Sequence, residues 1–301
     1  SFQQHAAPIT FGYKVSVWLS ELVRHYDRLT EIRQRVLTGQ CGGAVGTLAS
    51  LGPQGLEVRR ELMKELGLAE PEIAWHTARD SIAEVVFWLA MLAATLGKIA
   101  AEVALLMRTE VNEVREPLQS GQGASSTMPQ KRNPILCEPI IAIAQRMRET
   151  VSSQLTAMVQ DHERGTGQMH LEWIVVPEAF LLISGSLAHT RTLLSGLVVN
   201  SEQMQANLAT SGGLPMAESV MMGLAPKLGR VTAHTLVQEI VNESLEQGKP
   251  FRTALTDDAR VCAVLSEAEI DQRLDPANYL GASSQMIGDV LRRARATLGQ
   301  S

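Results

Sequence analysis

Cysteine is scarce in this chain of 301 residues: Cys41, Cys137 and Cys262 are odd in number, far apart and outside any CxxC pair. This excludes a disulfide scaffold, supplies no zinc-ligand spacing and fits a reducing cytoplasm, with each thiol expected as a small buried side chain. Aromatic residues are equally sparse, at 4% of the chain. No charge of one sign dominates, since 27 Lys and Arg face 32 Asp and Glu for a net charge of −5. A nucleic-acid partner therefore has no electrostatic basis. No secretory signal pattern opens the sequence. The most apolar run, residues 85–97, is shorter than the roughly 20 residues a spanning helix needs and runs into Lys98 and Glu102, so no membrane span is expected. At 45% hydrophobic and 20% charged residues, the composition is that of a globular protein with a sizeable core.

Helical periodicity dominates what is present. Over residues 11–37, Val15, Trp18, Leu19, Leu22, Tyr26, Leu29, Ile32 and Val36 recur at steps of three and four, with charged residues on the other face. A glycine cluster follows (Gly39, Gly42, Gly43, Gly46). It lacks both the GxGxxG and Walker patterns, so it reads as bent or close-packed backbone between helices. Residues 53–66 predict a short helix. Between Pro71 and Pro117 there is no proline and one glycine, Gly97. That window predicts a helix of about 40 residues, roughly 60 Å long, which one small globule cannot cover. Further helices are expected over 134–159, 177–197, 231–247 and 286–298, with a capping box at Ser266 and Glu269. No strand alternation is evident. The fold class is all-α: a long-helix bundle over residues 1–250, completed by other subunits, and a small helical subdomain over 251–301.

One stretch, residues 120–134, cannot be helical: its glycines, hydroxyls, two prolines and two cations make a polar loop suited to folding over an anion. Within it, Ala124-Ser125-Ser126-Thr127-Met128-Pro129-Gln130-Lys131-Arg132-Asn133-Pro134 resembles the signature loop of the aspartase/fumarase superfamily, with Ala124 where glycine is usual. Gln4-His5-Ala6-Ala7-Pro8-Ile9-Thr10-Phe11-Gly12 resembles a second block of that superfamily, with Phe2 where many members carry a histidine. The resemblance covers essentially the whole chain. It implies a fumarase/aspartase-type bundle, a further N-terminal region outside this sequence, and a cytoplasmic homotetramer whose active sites are shared between subunits.

Within the superfamily, Trp75-His76-Thr77-Ala78-Arg79-Asp80, His162-Glu163-Arg164 with His170-Leu171-Glu172-Trp173, and residues 274–281 resemble the 3-carboxy-cis,cis-muconate cycloisomerase branch. Adenylosuccinate lyases share the His-Glu-Arg start but place a serine and an arginine for the nucleotide phosphate where this chain has Met169 and Trp173. The resemblance assigns proton transfer at carbon to Ser125. It gives substrate binding to Lys131, Asn133 and Arg164, with Ser126, Thr127 and Gln4 as further contacts. His76, His170 and His5 are candidates of open role. His5 is read as structural or supporting, and Arg79 and Asp80 as a local pair. No metal or organic cofactor is implied, and the expected partner is a small polycarboxylate. The expected reaction is lactonisation of 3-carboxy-cis,cis-muconate in aromatic-acid breakdown. The alternatives are β-elimination from adenylosuccinate or another substituted succinate, and a non-catalytic structural role of the crystallin kind.

Overall fold

The computed structural model describes residues 2–117, 128 and 131–299. Among them the chain is all-α, with twelve α-helices and one pair of two-residue strands. The contacts divide it into two compact units. The first holds Glu21–Glu110 and Val114–Val199, the second Ser1–Ser20, Val111–Glu113 and Asn200–Ser301.

Three helices build the first unit: α3 (Asp80–Leu106), α4 (Cys137–Ala157) and α5 (Gln168–Ser195). On α3 the buried positions include Val86, Leu89, Ala93, Leu96, Ala100 and Val103, steps of three and four that form one apolar stripe. Burying each large aliphatic side chain contributes about 1.5–3 kcal/mol. The stripe of α4 runs through Ile140, Ala144, Met147 and Thr150, and that of α5 through Glu172, Val175, Ala179, Ile183, Ser186, Thr190 and Leu193. Gly97 lets α3 and α4 approach closely, because a β-carbon there would lie 2.5 Å from that of Ala144. The second half of α1 (Phe11–Val36) ties onto α3. The Trp88 indole N–H donates to the His25 carbonyl at 3.1 Å, and His25 Nε2 lies 2.9 Å from Thr95 Oγ1. Helix α2 spans Gly55–Leu66. Strand β1 (Val114–Arg115) pairs antiparallel with β2 (Val198–Val199), with Val114 opposite Val199, a contact no alternation in the sequence signals.

Two expectations about helix length need correction. The proline-free window carries 27 helical residues, about 40 Å, because residues 71–79 form a turn-rich lead-in and Asn112 takes a positive φ of 50° after the helix ends. Conversely, α5 begins at Gln168 and continues through Pro177, because the buried stripe starts at Glu172. Both α3 and α5 are therefore long and apolar enough to cross a membrane by length and composition, so the length argument made over 85–97 does not hold. In α3 that apolar surface packs against α4 and α5.

The second unit contains α6 (Ser201–Ala209), α7 (Ala217–Leu228), α8 (Arg230–Gln247), α9 (Phe251–Asp257), α10 (Ala259–Cys262), α11 (Glu267–Leu274) and α12 (Ser283–Thr297). The capping box is present: Ser266 N–H donates to Glu269 Oε2 at 2.8 Å, and Glu269 N–H to Ser266 Oγ at 3.3 Å. The expected boundary at 250/251 falls inside one core. Val220, Leu224, Leu236 and Ile240 before it pack with Phe251, Leu255, Val261 and Ile270 after it. The contacts thin near residue 200 instead, so residues 251–301 are not a separate subdomain. Of the three cysteines only Cys137 is buried. Cys41 is half-buried and Cys262 exposed.

Candidate functional site

The lead-in to α3 is held from both sides. The Trp75 backbone N–H donates to Gln40 Oε1 at 3.0 Å, and its indole N–H donates to the Gly39 carbonyl at 2.7 Å. The Arg79 guanidinium lies 5.1 Å from the Trp75 ring centroid and donates from Nε and Nη2 to the two carboxylate oxygens of Glu172. Gln154 Nε2 donates to Glu172 at 3.2 Å. Glu172 is only 4% exposed. Arg79 thus pairs across 93 residues with a carboxylate on the α5 stripe rather than with its neighbour Asp80. Glu172 stood in the quoted motif without a role. The legible signal was a charge at a buried helical step, visible only once α5 is extended upstream of Pro177.

Removing one partner of such a buried pair leaves the other charge uncompensated. Glu172→Ala is expected to lower unfolding free energy by about 3–5 kcal/mol. Urea denaturation checks this, and a loss below about 1 kcal/mol, the worth of a surface pair, would contradict it.

Arg164 and His76 are brought together. Arg164 donates from Nε to the Ala44 carbonyl at 3.0 Å, from Nη2 to the Gly43 carbonyl at 2.9 Å and from Nη1 to His76 Nε2 at 2.8 Å. The glycine cluster is therefore the seat of this guanidinium, a role its composition did not reveal. Among the described residues, these three contacts use one N–H on each nitrogen and leave one N–H on each terminal nitrogen. To accept from Arg164, His76 must be neutral. Burial first, then the charges of Arg164 and Arg79, hold its pKa below the ordinary histidine value.

Lys131 is exposed and Asn133 half-buried, on a short turn in which Lys131 N–H donates to the Met128 carbonyl at 3.0 Å and Ile135 N–H to the Asn133 carbonyl at 3.0 Å. Arg132 is exposed. Ser125, Ser126 and Thr127 lie outside the described residues. On the first turns of α5, His170 meets Trp173 edge to face at 4.9 Å, and Trp173 is 63% exposed, with Met169 half-buried beside them in sequence.

Gln4 and His5 belong to the second unit, where they line an open cavity of about 690 Å³ with Ser211, Pro215 and Glu218. His5 Nδ1 hydrogen-bonds Ser211 Oγ. Tyr279, from the branch-specific stretch 274–281, sits beside Glu218. Burial and that carboxylate push its phenol above the ordinary value. Among the described residues, no three His, Cys, Asp or Glu side chains cluster as metal ligands.

Residues 2–148 match the family described as Lyase, and residues 213–290 that described as Adenylosuccinate lyase C-terminus. The chain is 45% identical to a 3-carboxy-cis,cis-muconate cycloisomerase of Pseudomonas aeruginosa, over 97% of this chain and 65% of that protein. It is 40% identical to an N-acetyl-S-(2-succino)cysteine lyase of Dickeya dadantii, over 97% of this chain and 64% of that one. The crystal structure of the 3-carboxy-cis,cis-muconate lactonizing enzyme from Pseudomonas putida superposes with a TM-score of 0.92 at 38% identity, covering 99% of this chain and 66% of that one. The chain thus spans just under two thirds of the length of the curated relatives it matches. With the all-α bundle, both family matches and these relatives in agreement, the chain belongs to the fumarase/aspartase superfamily of lyases.

Proposed function

We propose that the protein is a cofactor-independent cycloisomerase that closes 3-carboxy-cis,cis-muconate to a carboxymuconolactone, the reverse of a β-elimination. In this direction a substrate carboxylate oxygen adds to the alkene, forming the new C–O bond. Ser125 then delivers a proton to the neighbouring carbon. The intermediate between these steps carries a dianionic carboxylate, so the site needs fixed positive charge at that group. Lys131 and Asn133 supply an ammonium and an amide donor for one carboxylate. Arg164, oriented by Gly43, Ala44 and His76, offers its remaining N–H groups to another. Ser126, Thr127 and Gln4 complete the polar contacts.

The observation that carries this reading within the family is the pair Met169 and Trp173 on the first turns of α5, an apolar surface where a nucleotide-binding relative needs phosphate donors. Turnover of 3-carboxy-cis,cis-muconate by the full protein, followed by loss of its ultraviolet absorbance, tests it. A second reading, elimination from a substituted succinate, is favoured by the 40% identity to the Dickeya dadantii lyase. It gains ground if such a succinyl thioether is cleaved while the muconate is untouched.

The partner proposed for the bundle is three further copies of the chain, working in the cytoplasm. Trp173, Ile174, Phe180, Leu181, Leu187 and Leu194 leave large apolar surface exposed on α5, more than a lone chain in water ordinarily presents. Light scattering is expected to report a tetramer at micromolar concentration, and a stable folded monomer there would remove this proposal.

A further inference from the structure

The geometry points to Glu116 as a positioning residue for Lys131 and Asn133, a role that rests on the carboxylate-binding reading of those two side chains. Glu116 is 8% exposed, and its carboxylate accepts the N–H of Leu136 at 3.0 and 3.1 Å and that of Cys137 at 2.9 Å. These amides belong to the entry and first residue of α4, where the helix leaves N–H groups without an internal partner. The bond joins residue 116 to residues 136 and 137, so one buried carboxylate fastens the two ends of the segment that contains Ser125, Lys131 and Asn133.

Glu116 is itself fixed from behind. Val114 and Arg115 pair with Val199 and Val198, and Val114 is fully buried. Pro117 packs so closely on Gly196 that a β-carbon at 196 would lie 2.6 Å from Pro117 Cβ. Strand, proline contact and carboxylate form a rail running from the β1–β2 pair to the start of α4. Asn133 lies three residues before Leu136, so a shift of the rail passes directly to the short turn that carries Lys131 and Asn133. The thiol of Cys137 completes the enclosure. Burial first, then its hydrogen bond to Glu116, pushes its pKa upward and keeps it an unreactive neutral group.

Two variants of the full protein test the role: Glu116→Gln, which loses the charge and one acceptor oxygen, and Gly196→Ala, which touches neither Glu116 nor the site. Position 196 has an ordinary φ of −118°, so the one tight contact alanine makes there is with Pro117, the Thr192 carbonyl oxygen lying at an ordinary 3.7 Å. With unchanged far-UV circular dichroism, kcat/KM on the muconate is expected to fall about tenfold or more in Glu116→Gln and about threefold or more in Gly196→Ala. Amide exchange over residues 131–135 should quicken in both. Exchange that quickens only at 136–140, or kcat and KM both within about twofold of the parent, would make Glu116 a helix cap alone and overturn the inference. If the parent protein itself does not turn over the muconate, the proposed function fails while the exchange measurement still decides the role of Glu116. If Glu116→Gln fails to fold, Gly196→Ala decides alone.

Discussion

Replacing Ser125 by alanine is expected to lower kcat on 3-carboxy-cis,cis-muconate by about 10²–10⁴ while leaving substrate affinity within about tenfold. The asymmetry follows from the role. A group that transfers a proton at carbon interacts with the transition state far more than with the bound ground state, so its loss falls on kcat. On the proposed reading, Lys131, Asn133 and Arg164 would hold carboxylates that are charged in the bound substrate and gain charge in the dianionic intermediate, so their removal should instead raise KM together with lowering kcat. Serine is a weak acid and base in water. Its use here requires that water be excluded and that fixed positive charge stabilise the alkoxide. Steady-state kinetics with an independent binding measurement checks the split, and near-normal turnover by Ser125→Ala would remove the serine from this role.

The second large effect follows from the proposal that the site is not built to hold a nucleotide phosphate. A nucleotide phosphate carries nearly two negative charges, and each charge-assisted donor to it is worth about 1.5–3 kcal/mol. Met169 supplies no donor, and the Trp173 indole supplies at most one neutral N–H. Relative to a site with a hydroxyl and a guanidinium at these positions, AMP binding should be weaker by about 3–6 kcal/mol, or roughly two to four decades. Introducing Met169→Ser together with Trp173→Arg is therefore expected to tighten AMP binding by up to that amount. Calorimetric titration of parent and double variant reads the difference. Equal affinities would show that these two positions do not decide the substrate.

Features set by neighbouring residues were legible in the sequence, and those set by distant ones were not. The periodic run of α1, the span of α8 and the Ser266–Glu269 capping box all depend on contacts within a turn or two, and each is present. The lead-in at 72–79 holds no proline and no glycine, so nothing local keeps it out of a helix. It is kept out of the helix by Trp75 bonding Gln40 and Gly39 and by Arg79 reaching Glu172, contacts spanning 35, 36 and 93 residues. The start of α5 was missed because Pro177 resembles a helix entry, whereas the buried step at Glu172 carries the helix past it. Within the candidate site, Lys131 and Asn133 were legible as candidates from the long and specific superfamily loop, and Arg164 from the His162-Glu163-Arg164 stretch. The partners that aim Arg164 were not. Gly43 and Ala44 contribute only backbone carbonyls, and a carbonyl leaves no mark in the residue type. The subdomain expected over 251–301 is not seen for the same reason: the core joining Ile240 to Phe251 and Ile270 leaves no local sign in the sequence.

The central claim, that this site lactonises a planar tricarboxylate and does not cleave a nucleotide, is tested most directly by offering the full protein 3-carboxy-cis,cis-muconate and adenylosuccinate under identical conditions. Products would be identified by nuclear magnetic resonance. Formation of carboxymuconolactone without detectable AMP is the expected result. Efficient release of AMP and fumarate, with the muconate unchanged, would contradict it.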